Sequence, residues 1–462
     1  MDSPERERCM DNISQGISDF LLETTAYIDS VDTLSFEAAA ELYDLLDDAS
    51  KVATEFIKEI DPELRVEICD RQDKVLERII DFSPSYKNCG DYKRIFTPRI
   101  NFCARWLNVE LLKDNGVATY LLAEEINAVP MIHFGTKPED YPYLSIFPKM
   151  EVLYDDSEPG LPGPYYDHLN EHYAEMDVIM LHGMYTNTVA YLNRYRQLRP
   201  DGIVHCTLDM NSFWMETTPW GSPEAVGFAQ QCDIVSNSCR SLRDALNRNP
   251  DVAFACRWIT NGFYNPTGIP VIADPGEKEN VILTVGRIGT NQKNNEEMLE
   301  AFALASKHLD GWTLRLVGPV EPEFNEYIHS FYDKYPDLKD RVIFAGSIVD
   351  KAELFSEYRR AKVFALSSRL EGFPNVYAEA LYHGCMFVTS DLDAADDMTN
   401  YGELGEIYKK GDIRGLAGAL IRVCTDADSD ALKAHIPKAL EYADKYYDWH
   451  RIAKKLAYML FK

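Results

Sequence analysis

Long apolar runs are missing from this 462-residue chain. A membrane-spanning helix needs at least about 18 consecutive apolar residues, and no such stretch occurs. The start, Met1-Asp-Ser-Pro-Glu-Arg-Glu-Arg, lacks the apolar core of a signal peptide. A transmembrane segment is excluded on this reading, and a cytoplasmic protein is the expectation. Positive charge is also scarce. Forty-seven Lys and Arg against 75 Asp and Glu leave a formal net charge of -28, which repels nucleic-acid backbones and anionic bilayers. A small anionic ligand remains open, because it feels a few local cations more than the distant surface. Cysteine-pair motifs are absent: ten cysteines lie at irregular spacings with no CxxC, against both a zinc ribbon and a secreted disulfide framework. Neither GxGxxG nor GxxxxGK[ST] occurs, which counts against a dinucleotide oxidoreductase and a P-loop ATPase.

The length exceeds what one hydrophobic core usually holds, so several domains are expected. Residues 1–90 read as a helical extension. Ser35-Phe-Glu-Ala-Ala-Ala-Glu-Leu-Tyr-Asp-Leu-Leu carries a start signal and helical spacing, with a break at Asp61-Pro62. The expected form is a helical hairpin that packs on the body or on a second subunit, as in a homo-oligomer. From about Tyr92, short apolar runs alternate with helical stretches, the pattern of a parallel sheet covered by helices. The pattern occurs twice. Strands are expected near 93–98, 130–134, 150–154, 177–181, 203–208, 232–236 and 254–259, then near 280–285, 313–317, 341–344, 362–367, 386–389 and 405–408. Between the rounds, the Gly- and Pro-containing stretch Asn261–Pro270 suits a linker. An α/β fold follows, with two doubly wound, Rossmann-like domains at 91–265 and 266–446 and a terminal helix at 447–462. In such sheets ligands bind at the carboxyl ends of the strands, here in a cleft between facing domains.

Two segments carry chemistry. Val363-Phe-Ala-Leu-Ser-Ser368 runs into Arg-Leu-Glu371-Gly372-Phe373-Pro374-Asn375, where a helix begins that holds Tyr377 and Glu379. Pro374 suits the first helical turn. Unpaired backbone N–H groups from Gly372 to Val376, at the positive end of the helix dipole, can hold an anion such as a diphosphate. Gly372 lets a phosphate approach the main chain. Two glutamates eight apart mean little alone; a buried strand before them and the Gly-Phe-Pro-Asn turn between them give them force. The second segment, Val281-Ile-Leu-Thr-Val-Gly286-Arg287-Ile-Gly-Thr-Asn-Gln-Lys293-Asn294, places two cations at the carboxyl edge of its sheet, suited to a departing nucleoside diphosphate.

These residues resemble the retaining glycosyltransferases of family 4, also called group 1, with the GT-B fold of two Rossmann-like domains. The Glu-x7-Glu signature is matched by Glu371 and Glu379, and the Gly-Arg…Lys-Asn element by Gly286, Arg287, Lys293 and Asn294. The resemblance is strong from Val281 to about Tyr446 and looser in the first domain. It implies that Arg287 and Lys293 bind the phosphates of a nucleoside-diphosphate sugar and stabilise the leaving group. Glu371 would lie by the transferred sugar, Glu379 would hold the ribose, and the loop Gly346-Ser347-Ile348 would frame the base. It further implies retention through same-face attack within an ion pair, and a last helix that crosses back to the first domain. A UDP-sugar is favoured over GDP- and ADP-sugars as donor, no metal or other cofactor is obligatory, and the acceptor is a sugar-containing molecule, glycan or protein. An acidic first helix without a basic amphipathic face argues against a lipid-linked acceptor.

Two features depart from the family pattern. Many relatives open the first helix of the first domain with Gly-Gly, whereas here it is Asn115-Gly116, after a longer loop from Asn101 to Asp114. Asp209, in Thr207-Leu-Asp209-Met-Asn211, stands where many relatives place a His near the sugar. It can bond a sugar hydroxyl or attract a cation, or it can cap the next helix. His182, with Tyr185 and Asn187 on the same loop, ends a strand on the ligand edge and either faces the acceptor with Gly116 and Asn211 or is structural. Two motifs are decoys on this reading. His168-Leu-Asn-Glu171-His172 imitates a zinc peptidase helix but needs a further ligand; Asp391-Leu-Asp393 imitates a metal-binding DxD but is placed to cap a loop. The rival readings are a non-catalytic GT-B subunit that binds a glycan or partner, and a sugar-nucleotide epimerase on the same fold.

Overall fold

The computed structural model describes residues 3–84, 86, 94–97, 114–134, 142–154, 163–268, 271, 275–427 and 429–462. The chain divides into two compact units, Met1–Thr260 with Trp449–Lys462, and Asn261–Asp448.

The first unit holds strands β1 (Arg94–Thr97), β2 (Val129–Phe134), β3 (Glu151–Tyr154), β4 (Val178–His182), β5 (Ile203–Thr207), β6 (Ile234–Asn237) and β7 (Cys256–Trp258). They pair in the order β3-β2-β1-β4-β5-β6-β7, and every pair is parallel. The second unit holds β8 (Glu279–Val285), β9 (Thr313–Val317), β10 (Val342–Gly346), β11 (Ala361–Leu366), β12 (Met386–Ser390) and β13 (Gly405–Tyr408), in the order β10-β9-β8-β11-β12-β13 and again all parallel. Both sheets are doubly wound, and the ends of the observed strands fall within two residues of the sequence expectation. Parallel strands covered on both faces read as continuous apolar runs, which is why Val178–Leu181 and Val281–Val285 are buried throughout.

Each unit has its own core. In the first, Ile179, Leu181, Val204, Cys206 and Val235 meet Leu192, Tyr195 and Phe228 from flanking helices. In the second, Ile282, Leu314, Val363 and Val388 meet Met298, Phe302, Leu416 and Leu420.

The N-terminal segment departs from the expected hairpin. It forms three helices, Ser3–Asp29, Phe36–Glu55 and Pro62–Asp81. The first is held by Ile17, Leu21, Thr24 and Ile28, buried at spacings of four, three and four, a stripe that the surrounding polar residues obscure. The third begins at the Asp61-Pro62 break, where the Asp61 carboxylate accepts from the Glu63 N–H at 3.0 Å. This helix is built into the first unit. Arg65 donates to the carbonyls of Asn247 (2.8 Å) and Phe254 (2.6 Å), and the buried Arg243 pairs with Asp70, Asp73 and Asp244. Helix Trp449–Phe461 belongs to the same unit, where Arg451 pairs with Glu77 (3.0 Å) and Asp81 (2.9 Å) and Lys455 with Glu77.

Among the described residues no helix is long and apolar enough to cross a membrane, and no group of three or more His, Cys, Asp or Glu side chains is placed to hold a metal ion. His168 and His172 stack on each other at 4.5 Å at the end of helix Gly163–His172. Burial, with help from His172 and Arg94, holds His168 down at about 4. Asp391 accepts from the Lys410 N–H at 2.8 Å, a loop cap.

Candidate functional site

In the second unit β8 and β11 are neighbours on either side of the point where strand order reverses. In open α/β sheets such a point, where successive connections pass to opposite faces, is where ligands bind outside the carboxyl ends of the strands. Both chemistry-bearing segments lie there: β8 runs into Gly286–Asn294, and β11 runs into Ser367–Asn375.

The β8 loop is pinned closely. Gly286 continues the ladder by donating to the Val317 carbonyl at 2.9 Å. A Cβ on Gly318, at φ +147°, would stand 1.8 Å from the Gly286 carbonyl oxygen, so the loops after β8 and β9 approach this closely because that Cβ is missing. Lys293 ends a turn in which its N–H donates to the Thr290 carbonyl at 3.1 Å. The Ser367 hydroxyl lies within hydrogen-bond distance of the carbonyls of Lys293 (3.1 Å) and Asn294 (3.0 Å), which fastens this loop to the end of β11.

That fastening brings opposite charges together. The Lys293 ammonium is ion-paired with the Glu371 carboxylate, and Glu371 is only 9% exposed. Gln292 joins the rest: it accepts from Arg287 Nη2 at 3.1 Å and donates to the Leu370 carbonyl at 3.0 Å and to Glu371 Oε2 at 3.2 Å. Its own carbonyl accepts from the Arg369 N–H at 2.8 Å. Sequence reasoning passed over Gln292. Its place in the loop between Arg287 and Lys293 was the available signal.

Helix Asn375–Tyr382 follows. Pro374 does not enter its first turn as expected: with φ -74° and ψ 117° it occupies the extended position just before the helix, and no side chain caps the helix start. The ψ value turns the chain out of the loop while Phe373, 5% exposed, stacks on Tyr447 at 5.2 Å. The first N–H groups of the helix, without a side-chain cap, carry the positive end of its dipole. Asn375 Oδ1, on the first residue of the helix, and Ser368 Oγ, just past β11, are buried and, among the described residues, have no hydrogen-bond partner. Buried polar atoms without partners are uncommon in folded proteins, and two of them lie in the segment from the end of β11 to the helix start.

Glu379 projects from this helix. Its carboxylate accepts from Lys351 Nζ at 2.6 Å and from the Tyr358 hydroxyl at 2.7 Å. Burial, helped by Glu379, drives the Tyr358 hydroxyl well above its ordinary value, so it stays a donor. Lys351 comes from the segment after β10: Gly346 at φ +75°, Ser347 exposed, Ile348 half-buried, then helix Lys351–Arg360 capped by Asp350. The loop expected to frame a base is therefore tied to Glu379 through Lys351, a residue not anticipated from the sequence. Below Glu379, His383 Nδ1 lies 2.6 Å from the Glu379 carbonyl, with the His383 ring stacked on Tyr358. Burial lowers His383 to about 4, so the imidazole is neutral and Nδ1–H donates.

The first unit carries the remaining residues. His182 ends β4, and its Nδ1 lies 3.9 Å from Asp209 Oδ2. Asp209 adopts φ +41° and does not cap the next helix. That role falls to Asn211, which sits two residues closer and accepts from the Trp214 N–H at 3.3 Å. The Asn211 oxygen is thus committed to helix Ser212–Thr217. Gly116 is buried inside helix Asp114–Ile126; the loop before it, 101–113, lies outside the described residues. Tyr185 is exposed, and its ring packs over Gly183, where a Cβ would meet Tyr185 Cε2 at 2.2 Å.

Residues 279–426 match the family model described as glycosyl transferases group 1. A phosphatidyl-myo-inositol mannosyltransferase of Mycobacterium leprae is 28% identical over 176 residues, 38% of this chain and 44% of the relative. A lipopolysaccharide 1,6-galactosyltransferase of Salmonella typhimurium is 29% identical over 166 residues, 35% and 45% respectively. The chain thus spans less than half the length of these curated relatives. Among solved structures, Anabaena Alr3699/HepE in complex with UDP superposes with a TM-score of 0.59 at 18% identity, covering 80% of this chain and 99% of that one. The architecture is GT-B, two Rossmann-like units preceded by a helical segment.

Proposed function

We propose that this chain, which belongs with the GT-B glycosyltransferases of group 1, moves a sugar from a nucleoside-diphosphate sugar to a sugar-containing acceptor, with retention of anomeric configuration. One observation carries the reading: the Lys293–Glu371 pair stands at the head of a helix start without a side-chain cap, with Arg287 bridged to it through Gln292.

Breaking the bond between the anomeric carbon and the diphosphate leaves positive charge on the ring and the bonding electron pair on the phosphate oxygen. Fixed cations at that oxygen lower the barrier because they need no reorganisation as the charge develops. Arg287, Lys293 and the amides from Gly372 to Val376 would supply this charge, with Pro374 contributing no N–H. When a diphosphate arrives, Lys293 exchanges part of its contact with Glu371 for the phosphate, and Glu371 turns to the sugar hydroxyls. The acceptor hydroxyl then attacks the face the diphosphate leaves, and its proton passes to the departing oxygen. Glu379, held by Lys351 and Tyr358, binds the ribose hydroxyls. The segment Gly346-Ser347-Ile348 lies beside the base, and UDP is favoured because the Anabaena neighbour binds it.

A thermal-shift panel of UDP-, GDP- and ADP-sugars tests the reading, since a ligand that binds the folded state raises its stability by mass action. At least one donor is expected to raise Tm and to release its nucleoside diphosphate on incubation. No shift and no release with any of them overturns the proposal. Conversion of the sugar without release assigns the chain to epimerisation instead.

A further inference from the structure

Two large aromatic side chains stand out of the first unit. Helix Ser212–Thr217 follows β5 directly, at the carboxyl edge of the sheet. It turns Met215 toward the core, and Trp220 just beyond it is 4% exposed. Phe213 and Trp214, from the same turn, are 52% and 55% exposed. Their rings meet edge to face, with centroids 5.4 Å apart and planes at 77°. The helix that presents them is short but tied at both ends. Asn211 caps its start, and the hydroxyls of Thr217 and Thr218 donate to the carbonyls of Phe213 (2.8 Å) and Trp214 (2.6 Å). Leaving two such rings half in water forgoes burial of apolar surface worth about 1–3 kcal/mol each.

The surroundings of the pair select among occupants. His182 and Asp209, 3.9 Å apart, stand at the ends of the adjacent strands β4 and β5, and Tyr185, 44% exposed, follows β4. Aromatic faces on the same sheet edge as hydrogen-bonding polar groups match a pyranose, which has a C–H face to lie on a ring and hydroxyls around its edge. A membrane surface would also take exposed aromatics, but interfacial segments pair them with Lys and Arg. From Pro200 to Cys239 the sequence has no Lys or Arg and carries Asp201, Asp209, Glu216, Glu224 and Asp233.

We infer that Phe213 and Trp214 form a stacking platform for a pyranose ring of the acceptor, with the His182–Asp209 pair binding its hydroxyls. The inference rests on the sugar transfer proposed above. It makes the acceptor a neutral glycan presented by one ring face, and it makes Trp214 a binding residue.

The test uses the full chain with 15N-labelled tryptophan indoles, the Trp214 resonance being assigned by its loss in Trp214→Phe. The probes are the methyl glycosides of glucose, galactose, mannose, N-acetylglucosamine and N-acetylgalactosamine, and separately phosphatidylglycerol–phosphatidylcholine vesicles. At least one glycoside is expected to shift the Trp214 indole saturably, and Phe213→Ala to weaken that glycoside by about tenfold. No shift with any glycoside overturns the platform. Broadening of Trp214 by vesicles, with glycosides inert, overturns it by assigning the pair to a lipid surface. Thermal shifts with UDP, GDP and ADP on the same sample keep the two readings apart. UDP binding without a glycoside response sinks the platform alone; a glycoside response without any nucleotide binding sinks the transferase reading.

Discussion

Lys293 and Glu371, 78 residues apart, form an ion pair at the carboxyl edge of the second unit's sheet. The pair exists because the Ser367 hydroxyl bonds the carbonyls of Lys293 and Asn294, so the loops after β8 and β11 share one anchor. On the proposed function, Glu371 competes with the donor's phosphate for the same ammonium.

Glu371→Gln separates the two roles of this carboxylate. Removing its charge frees Lys293 for the diphosphate, so UDP affinity is expected to stay level or rise, while sugar transfer falls by about 100-fold or more. Calorimetry with UDP and a turnover assay check the two halves. Weaker UDP binding with unaltered turnover contradicts the arrangement.

Gln292→Ala should act on turnover through position, since Gln292 carries the contacts linking Arg287 to Glu371. A decrease of about tenfold in kcat, with the UDP-induced Tm shift retained, is expected for the loss of about 1.4 kcal/mol of orientation. Glu379→Ala should do the reverse. It removes a charged hydrogen-bond acceptor for the ribose and leaves Lys351 without its carboxylate, so nucleotide Kd rises by about ten- to a hundredfold. Binding isotherms for the two variants distinguish them.

Gly318→Ala places a methyl 1.8 Å from the Gly286 carbonyl oxygen, at a φ that side chains rarely adopt. Backbone cannot yield as a flexible side chain does, so a loss of about 3 kcal/mol in stability is expected. The accompanying displacement of Gly286 should abolish the UDP response. A variant with wild-type Tm and wild-type UDP binding contradicts the close approach.

Acid should weaken the second unit through His383. Burial lowers its value from the ordinary 6.5 to about 4, so between these values the unfolded chain binds a proton that the folded chain refuses. The stabilisation is complete above about 6.5 and is lost as pH falls toward about 4, a difference of roughly 3 kcal/mol at most. Unfolding midpoints of wild type and His383→Phe, followed from pH 7 to 4, should show a shallower decline in the variant. Equal slopes contradict the assignment.

Strand positions and the loops after β8 and β11 were legible because parallel strands leave apolar runs and because Arg287, Lys293, Glu371 and Glu379 are chemically distinctive. Less distinctive residues were not. Gln292 and Lys351 act through contacts with residues distant in sequence; only its place between Arg287 and Lys293 marks Gln292, and nothing local marks Lys351. The capping role open to Asp209 went to Asn211, since both residue types cap helices and two positions of chain geometry decide between them. The first helix was expected, but its buried face was not: the stripe from Ile17 to Ile28 is a minority among polar neighbours. Phe213 and Trp214 carry no sequence pattern that marks them as exposed. Their exposure depends on how helix Ser212–Thr217 leaves β5.

The most direct test of the account is release of nucleoside diphosphate from a sugar donor, measured for wild type and for Lys293→Ala side by side with the fold monitored by circular dichroism. The account predicts release by the wild type from at least one of UDP-, GDP- or ADP-sugars, and a decrease of about 100-fold or more in a folded Lys293→Ala variant. Release at the wild-type rate by that variant, or none from any donor by the wild type, would contradict it.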